Sequence, residues 1–281
     1  MGAIGENGSP SFDLWTNMKL MNVRFLTASV VLIAAGVVYG SLDHQTKLPE
    51  TVIPVVDEGP AQSRSYDWMA RHNAVVERVK QGKVDLLLIG DSITHMWGGV
   101  PEEQTIHGRG DYLWDKYFGS RNAVNLGFGW DRTQHVLWRF EHGELDGIKP
   151  KVAVVMIGTN NMGSNSTEDI VTGIDTIVSQ LRHKLPKTKI LLLGIFPRDQ
   201  NPSSPMRKQV EDVNRGISIL GKEWMITYLD LSSKFLQEDG TISAEIMPDF
   251  LHPSAKGFGI WARAMEPTLA KLFGDRPRPE K

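Results

Sequence analysis

Five short runs of consecutive apolar residues, separated by longer amphipathic stretches, restrict this chain to a narrow class of folds. The runs lie at 84–89, 123–126, 152–157, 190–195 and 226–231. Strands that are apolar without alternation are buried on both faces, which is typical of parallel sheets. The amphipathic stretches predict helices at 64–81, 131–142, 167–184, 205–222 and 254–273. This alternation predicts a three-layer α/β/α sandwich with a mainly parallel, five-stranded sheet.

Length and composition exclude several classes of protein. The 281 residues are enough for one substantial core, and 41% hydrophobic with 23% charged residues excludes wholesale disorder. The formal charge of −2 gives no reason to expect nucleic acid as a partner. The chain has no cysteine, which excludes disulfides, thiolate nucleophiles and Cys-ligated zinc.

The N-terminal region has the pattern of an export segment. An apolar run at 25–39 follows Lys19 and Arg24, and no acidic residue lies between Asp13 and Asp43. The run is shorter than the roughly 20 residues of a spanning helix, which favours an export signal; the alternative is an uncleaved membrane tether through residues 24–41. Met18 is an alternative start. Either interpretation predicts an exported domain, periplasmic or extracellular.

These boundaries divide the chain into four segments. Residues 1–42 are predicted to be the export signal or anchor, and 43–63, which is rich in proline, an extended linker. The domain is expected at 64–274, followed by a flexible tail at 275–281.

Polar residues stand directly after the apolar runs. The first run leads into Gly90-Asp91-Ser92, the second into 127–131 and the third into 158–161, while the segment 249–253 precedes the last predicted helix. Because the carboxyl ends of parallel strands share one edge of the sheet, these segments predict one site at that edge.

Taken alone, each of these residues also has a structural interpretation. Ser92 can cap a helix, and the glycines at 127 and 129 can serve tight turns. Asn160 can satisfy its own loop, and a histidine is more often structural than catalytic. Asp91 is interpreted as stabilising the turn or the following helix terminus.

The combination is more specific than its members. A serine hydroxyl needs a base to take its proton, which gives Ser92 and His252 their roles, and Asp249, three residues before His252, can orient the imidazole. The negative oxygen of a tetrahedral intermediate needs preorganised donors. Candidates are the Ser92 N–H, an N–H in the 127–130 turn and the Asn160 amide. This chemistry requires no metal or cofactor.

The segments "GDSI", "NLGFGWDRT", "GTNN" and "DFLHP" resemble the blocks of the SGNH/GDSL hydrolase superfamily over about residues 65–273. The second block looks most like the catalytic subunits of platelet-activating-factor acetylhydrolase and their bacterial relatives. The resemblance implies a flavodoxin-like sheet, Ser92 as nucleophile, Asp249 and His252 as its triad partners and Asn160 as an oxyanion donor.

One position departs from the family pattern. Trp130 stands where the family usually has the glycine whose N–H serves the oxyanion hole, so the donor within this loop can be Gly129 or Trp130. Phe128, Trp130 and Met162 are predicted to line the substrate pocket, with burial in the core as the alternative.

The predicted function is hydrolysis of small acyl esters, acetyl esters above all, through an acyl-enzyme on Ser92. Export favours an O-acetylated glycan as substrate; a short-chain lipid, or acyl transfer to a sugar hydroxyl, is the alternative. A non-catalytic glycan-binding domain is the alternative of another class, and the complete set of Ser92, Asn160, Asp249 and His252 argues against it. The resemblance also suggests a homodimer.

Overall fold

The computed structural model describes residues 47–57, 65–105 and 109–279. The predicted export signal or anchor at 1–42 therefore lies outside the described residues. From Lys47 onward the chain forms one compact unit. Within the described part, no helix has the length and apolar character that crossing a membrane requires.

Five parallel strands form the sheet, as the apolar runs predicted. They are β1 (Leu86–Gly90), β2 (Ala123–Gly127), β3 (Val152–Met156), β4 (Lys189–Leu193) and β5 (Ile226–Leu229). Their order is β2-β1-β3-β4-β5, and every neighbouring pair is parallel. This is the flavodoxin-like order, in which ligands bind beyond the carboxyl ends of the strands near β1 and β3.

The helices lie between the strands in the predicted alternation. They are α1 (Trp68–Lys80), α2 (Ser92–His95), α3 (Trp114–Tyr117), α4 (Thr133–Glu141), α5 (Thr167–Lys184), α6 (Pro205–Ile217) and α7 (Ala255–Phe273). α6 is shorter than predicted because the chain tightens into a 3-10 helix at Ser218–Lys222. α5 matches its predicted bounds, since Ser166 caps its first turn and basic residues end it.

Two apolar layers cover the sheet, and the strands alternate between them. In β1, Leu87 and Ile89 belong to the layer formed by α1, α4, α5 and α6, whereas Leu86 and Leu88 belong to the layer under α7. All five residues of β1 are buried, because a parallel strand between two helical layers has no solvent face. The three-layer prediction is confirmed.

The predicted linker and the predicted tail both contact the domain through their described residues. Thr51, in a 3-10 turn at Glu50–Val52, is fully buried, and its carbonyl accepts a hydrogen bond from Thr133 Oγ1 at 2.9 Å. At the other end, Asp275 pairs with buried Arg121 at 2.8 Å. The boundaries predicted for the linker and the tail stay predictions, but both stretches contain residues with specific tertiary partners. Their polar composition concealed specific tertiary partners.

Candidate active site

Three predicted residues meet at the carboxyl edge of the sheet. Ser92 Oγ lies 2.9 Å from His252 Nε2, and His252 Nδ1 lies 2.8 Å from Asp249 Oδ2. A carboxylate only accepts, so Nδ1 carries the proton and Nε2 is left to accept the proton of the serine hydroxyl. The arrangement is a hydrogen-bonded chain from hydroxyl to imidazole to carboxylate, the geometry of an activated nucleophile.

The strand-to-helix turn presents Ser92 as the first residue of α2. Asp91 caps the helix, because its Oδ1 accepts the Ile93 N–H at 2.9 Å, and it has the structural role predicted for it. Burial raises the pKa of Asp91 to about 7. Gly90 permits the close approach of α2, since a Cβ there would lie 2.2 Å from Thr94 Oγ1 and 2.4 Å from Met156 O.

A short turn fixes Asp249 and His252 relative to each other. Asp249 Oδ1 accepts the backbone N–H groups of His252 at 2.7 Å and Leu251 at 3.2 Å. Partial burial works to raise the pKa of Asp249, but the hydrogen bonds from His252 and the interaction with its ring outweigh it and lower the pKa below its ordinary value. The carboxylate is therefore ionised at neutral pH and can stabilise an imidazolium.

Arg109 also contacts this turn, a contact that the sequence pattern did not predict. Its guanidinium donates to the His252 carbonyl at 3.2 Å and lies 4.0 Å from Asp249 Oδ2. No signal in the sequence connects residue 109 with 249–252, since the contact spans 143 positions.

The other oxyanion candidates lie in the turns that follow β2 and β3, and they line the same cleft as Ser92. Residues Phe128–Asp131 form a turn closed by Asp131 N–H to Phe128 O at 3.2 Å, with Trp130 at a φ of 67°. The Gly129 N–H donates to His95 Nδ1 at 3.2 Å, whereas the Trp130 N–H has no acceptor among the described residues. Of the two predicted loop donors, Trp130 is therefore the better candidate.

The Asn160 amide is tethered to the same turn. Its Nδ2 donates to Asp131 O at 2.9 Å, and because a side-chain amide has two N–H bonds, one can still be directed at a substrate oxygen. Arg198 donates to Thr159 O at 2.9 Å and so braces the turn that carries Asn160.

A cleft of about 160 Å³ joins these groups; its walls include Ser92, His252, Asn160, Gly129 and Trp130. The Trp130 side chain is 63% exposed. The prediction that Phe128 and Met162 line the pocket is wrong, because both are buried in the core. The Phe128 ring turns under the loop, where the Arg139 guanidinium lies 3.9 Å from its centroid.

A buried network of charged groups lies behind the turn and was not predicted. Asp131 accepts Trp68 Nε1–H at 2.7 Å and pairs with Arg139 Nε at 2.9 Å. Arg139 also pairs with Glu144, and Glu144 contacts His72 Nδ1 at 2.9 Å. These contacts hold the turn on its buried side. No regular spacing in the sequence indicates that the residues of this network interact.

One cluster of potential metal ligands adjoins this network. Asp57, Asp131 and His135 offer ligand atoms within 4.8 Å of one another. Both Asp131 oxygens already serve Trp68 and Arg139, and a cation bound there would be repelled by the Arg139 guanidinium. The cluster therefore fits a structural role better than a metal centre.

Known proteins share both this sequence pattern and this fold. The model of the "GDSL-like Lipase/Acylhydrolase family" matches residues 88–260. The "Platelet-activating factor acetylhydrolase IB subunit alpha2" of Rattus norvegicus is 35% identical over 211 residues, which cover 75% of this chain and 86% of that protein. The alpha1 subunit of Homo sapiens is 36% identical over 207 residues, covering 73% and 84%.

Solved structures repeat the architecture at lower identity. A putative platelet activating factor from Streptococcus pneumonia superposes with a TM-score of 0.60 at 19% identity, covering 72% of this chain and 92% of that one. The acetylxylan esterase Axe2 from Geobacillus stearothermophilus gives 0.54 at 21% identity, covering 69% and 96%. At these identities the likeness establishes the fold.

Proposed function

The chain belongs to the GDSL-like lipase/acylhydrolase family and is a hydrolase of acyl esters, and on that premise we propose that it removes small acyl groups, acetyl above all, through an acyl-enzyme on Ser92. The observation that carries the proposal is the continuous hydrogen-bonded chain from Ser92 Oγ through His252 to Asp249. It opens on the cleft that also contains Asn160 and Trp130.

The geometry supports a two-step reaction. Ser92 Oγ attacks the ester carbonyl carbon while His252 Nε2 takes the hydroxyl proton, and the carbonyl oxygen becomes an oxyanion. Collapse of the intermediate breaks the bond to the alcohol, which leaves with the proton from His252. Water then attacks the acyl-enzyme, gives its proton to His252 and releases the acid, while Ser92 Oγ recovers the proton. Asp249 stabilises the imidazolium in both steps.

The negative charge on the oxyanion must be stabilised by hydrogen-bond donors in the cleft. The Asn160 amide, the Trp130 N–H and the Ser92 N–H are the proposed donors, and one such donor typically contributes about 10²- to 10³-fold to turnover. All three are held by the fold before substrate binds, so no reorganisation is required in the transition state.

The size of the cleft favours a small acyl group. Pockets that enclose whole drug-sized ligands measure roughly 300–1,000 Å³, whereas this cleft measures about 160 Å³. It can hold the reacting ester and a short acyl chain, while the alcohol part of the substrate extends along the surface.

Trp130 supports an acetylated glycan as the leading substrate. An exposed indole beside the nucleophile provides an apolar face on which a sugar ring can lie. Export, predicted from residues that the structure does not describe, fits the same choice and a periplasmic or extracellular site of action. The name of the mammalian relatives favours a second candidate, a short-chain lipid acetyl ester. Transfer of the acyl group to a sugar hydroxyl is the related third candidate.

The test compares acyl release from p-nitrophenyl acetate, p-nitrophenyl octanoate and acetylated xylan by the full chain. Ser92→Ala should abolish release, whereas Ser65→Ala, an exposed serine of the same cleft, should retain it. Preference for the two acetyl esters supports the proposed acyl group, and turnover of xylan supports the glycan. Equal rates for the wild type and Ser92→Ala would refute the serine mechanism.

A further inference from the structure

We propose that Tyr66 is a positioning residue of this site: its hydroxyl orients the Gly129–Trp130 peptide so that the Trp130 N–H remains directed for oxyanion stabilisation. The inference rests on the proposed function for its catalytic consequence. The structural part, the orientation of one peptide plane, can be measured independently of activity.

The turn that carries Trp130 has a conformation that tryptophan disfavours. The φ of Trp130, at the third position, is 67°, and Gly129 before it has no positive φ; this is the pattern of a type II turn, in which glycine is the usual third residue. In an L-residue with a side chain, Cβ crowds the backbone in the left-handed region. The turn therefore persists only because surrounding contacts determine it.

A relaxed alternative exists for the same four residues. Rotation of the Gly129–Trp130 peptide changes the φ of Trp130 by about 170° and converts a type II turn into a type I turn. A type I turn accepts almost any residue. The C=O and N–H of a trans peptide point in opposite directions, so this rotation would reverse both. The Trp130 N–H would then turn away from its present direction.

The Tyr66 hydroxyl opposes that rotation. It donates to Gly129 O at 2.9 Å, and this carbonyl belongs to the same peptide as the Trp130 N–H. Tyr66 is 7% exposed and its position is fixed by the start of α1, where Asp67 Oδ1 accepts the Ala70 N–H at 2.9 Å. A net hydrogen bond and the strain of a left-handed residue are of similar size, so one hydroxyl can decide the orientation.

His95 holds the preceding peptide and supports Tyr66. Its Nε2 lies 3.0 Å from the Gln104 carbonyl and must donate, so Nδ1 is the acceptor for the Gly129 N–H at 3.2 Å. The His95 and Tyr66 rings meet edge to face, with centroids 4.8 Å apart. His95 thus accepts a hydrogen bond from the Gly129 N–H, and Tyr66 donates one to the Gly129 carbonyl.

The mechanism makes Tyr66 dispensable when residue 130 is glycine. Glycine adopts a positive φ without steric cost, so a type II turn would form there without the help of a hydroxyl. A residue that binds substrate, donates a proton or merely fills space would matter equally with tryptophan or glycine at 130. The interaction between the two substitutions therefore separates orientation from every other role.

The experiment is a double-mutant cycle with Tyr66→Phe and Trp130→Gly, assayed on p-nitrophenyl acetate. Tyr66→Phe alone should lower kcat about tenfold with KM within about twofold, as expected when part of the stabilisation from one oxyanion donor is lost. In the Trp130→Gly background the same substitution should change kcat less than about twofold. Tyr112→Phe removes a comparable hydroxyl-to-carbonyl bond, to Ala255 O, and should leave kcat unchanged.

Crystal structures of the variants provide the second readout. The Tyr66→Phe protein should show the Gly129–Trp130 peptide rotated, with a negative φ at Trp130, and the double variant should keep the original orientation. An unrotated peptide in Tyr66→Phe, or an equal loss of kcat in both backgrounds, would overturn the inference. If Tyr66→Phe fails to fold, recovery of the fold in the double variant supports it and failure of both contradicts it. A wild type without Ser92-dependent activity would refute the proposed function instead, and the peptide orientation would still decide the inference.

Discussion

The two sides of the catalytic cleft are built in different ways. On the triad side, the proposed roles of Ser92, His252 and Asp249 belong to their own side chains, and Asp249 is 46% exposed and only three residues from His252. On the donor side, the turn Phe128–Asp131 is held by a network in which Asp131, Arg139 and Glu144 are fully buried. The Asp249–His252 pair is held by a short local turn, whereas the turn that carries the Trp130 N–H is held by side chains from distant parts of the chain.

This contrast predicts different consequences of substitution. Changes on the triad side should remove chemistry and leave the fold, because none of the three residues is fully buried. Changes beneath the donor side should reduce the free energy of unfolding, because a buried charge that loses its partner retains the full cost of desolvation. Four predictions test the contrast, in order of decreasing effect.

His252→Ala should have the largest effect and affect chemistry alone. Without the base, Ser92 keeps its proton, and kcat for p-nitrophenyl acetate should fall about 10⁴-fold or more. The urea midpoint should stay close to that of the wild type, since the imidazole's partner carboxylate is already half exposed. A loss of less than tenfold would show that His252 is not the base.

Arg139→Met should affect the free energy of unfolding more than it affects catalysis. It leaves Asp131 and Glu144 buried without their shared cation, so the free energy of unfolding should fall by about 3–5 kcal/mol. Arg215→Met is the control, because Arg215 is 70% exposed beside Asp212 and should cost less than about 1 kcal/mol. Similar losses in urea denaturation of both variants would refute the distinction between the two sides.

Asn160→Ala and Asn161→Ala sharpen the comparison within one turn. Asn160 should affect kcat, by about 10²- to 10³-fold with KM changed little, because its amide is a proposed donor. Asn161 is buried and its Oδ1 accepts the Thr133 N–H at 3.1 Å, so its loss should cost about 1–3 kcal/mol of stability instead. Steady-state kinetics and urea denaturation of the pair decide; the reverse assignment of effects would contradict the account.

Asp91→Asn should have the most gradual effect, visible as a pH dependence. The pKa of Asp91 is about 7 in the folded protein and about 3.9 when unfolded. Between these values only the unfolded state releases the proton, so wild-type stability should fall as pH rises, by up to about 1.4 kcal/mol per pH unit. Asparagine can still cap α2 and does not titrate.

The stability of Asp91→Asn relative to the wild type should therefore increase between about pH 4 and pH 7 and then level off. Urea denaturation of both proteins at pH 4.5, 6 and 8 measures the difference. A difference that stays constant over this range would show that burial does not hold the proton on Asp91.

Sequence patterns predicted the triad side far better than the donor side. The runs that became β1 to β5 and the bounds of α5 follow from local hydrophobicity and capping. Ser92 follows from its residue type and its position after β1, and Asp249 and His252 follow from their spacing and their position before α7. These signals are local, so they can be read before the chain is folded.

The donor side depends on contacts that no local pattern contains. Tyr66 reaches Gly129 and Trp68 reaches Asp131 across 63 positions each. The same limit explains the incorrect prediction for Phe128: an apolar residue beside a motif can face the cleft or the core, and only the turn geometry decides. The left-handed conformation of Trp130 was likewise hidden, although its departure from the family glycine marked the position.

The most direct test of the central claim is to trap the acyl-enzyme. The full chain is mixed with p-nitrophenyl acetate, quenched in acid during turnover and digested, and the acetyl group is located by peptide mass spectrometry. We expect acetylation of Ser92 in the wild type and none at position 92 in Ser92→Ala, which should also lose turnover. Turnover that continues in Ser92→Ala, or a wild type that releases acetate without ever carrying acetyl on Ser92, would contradict it.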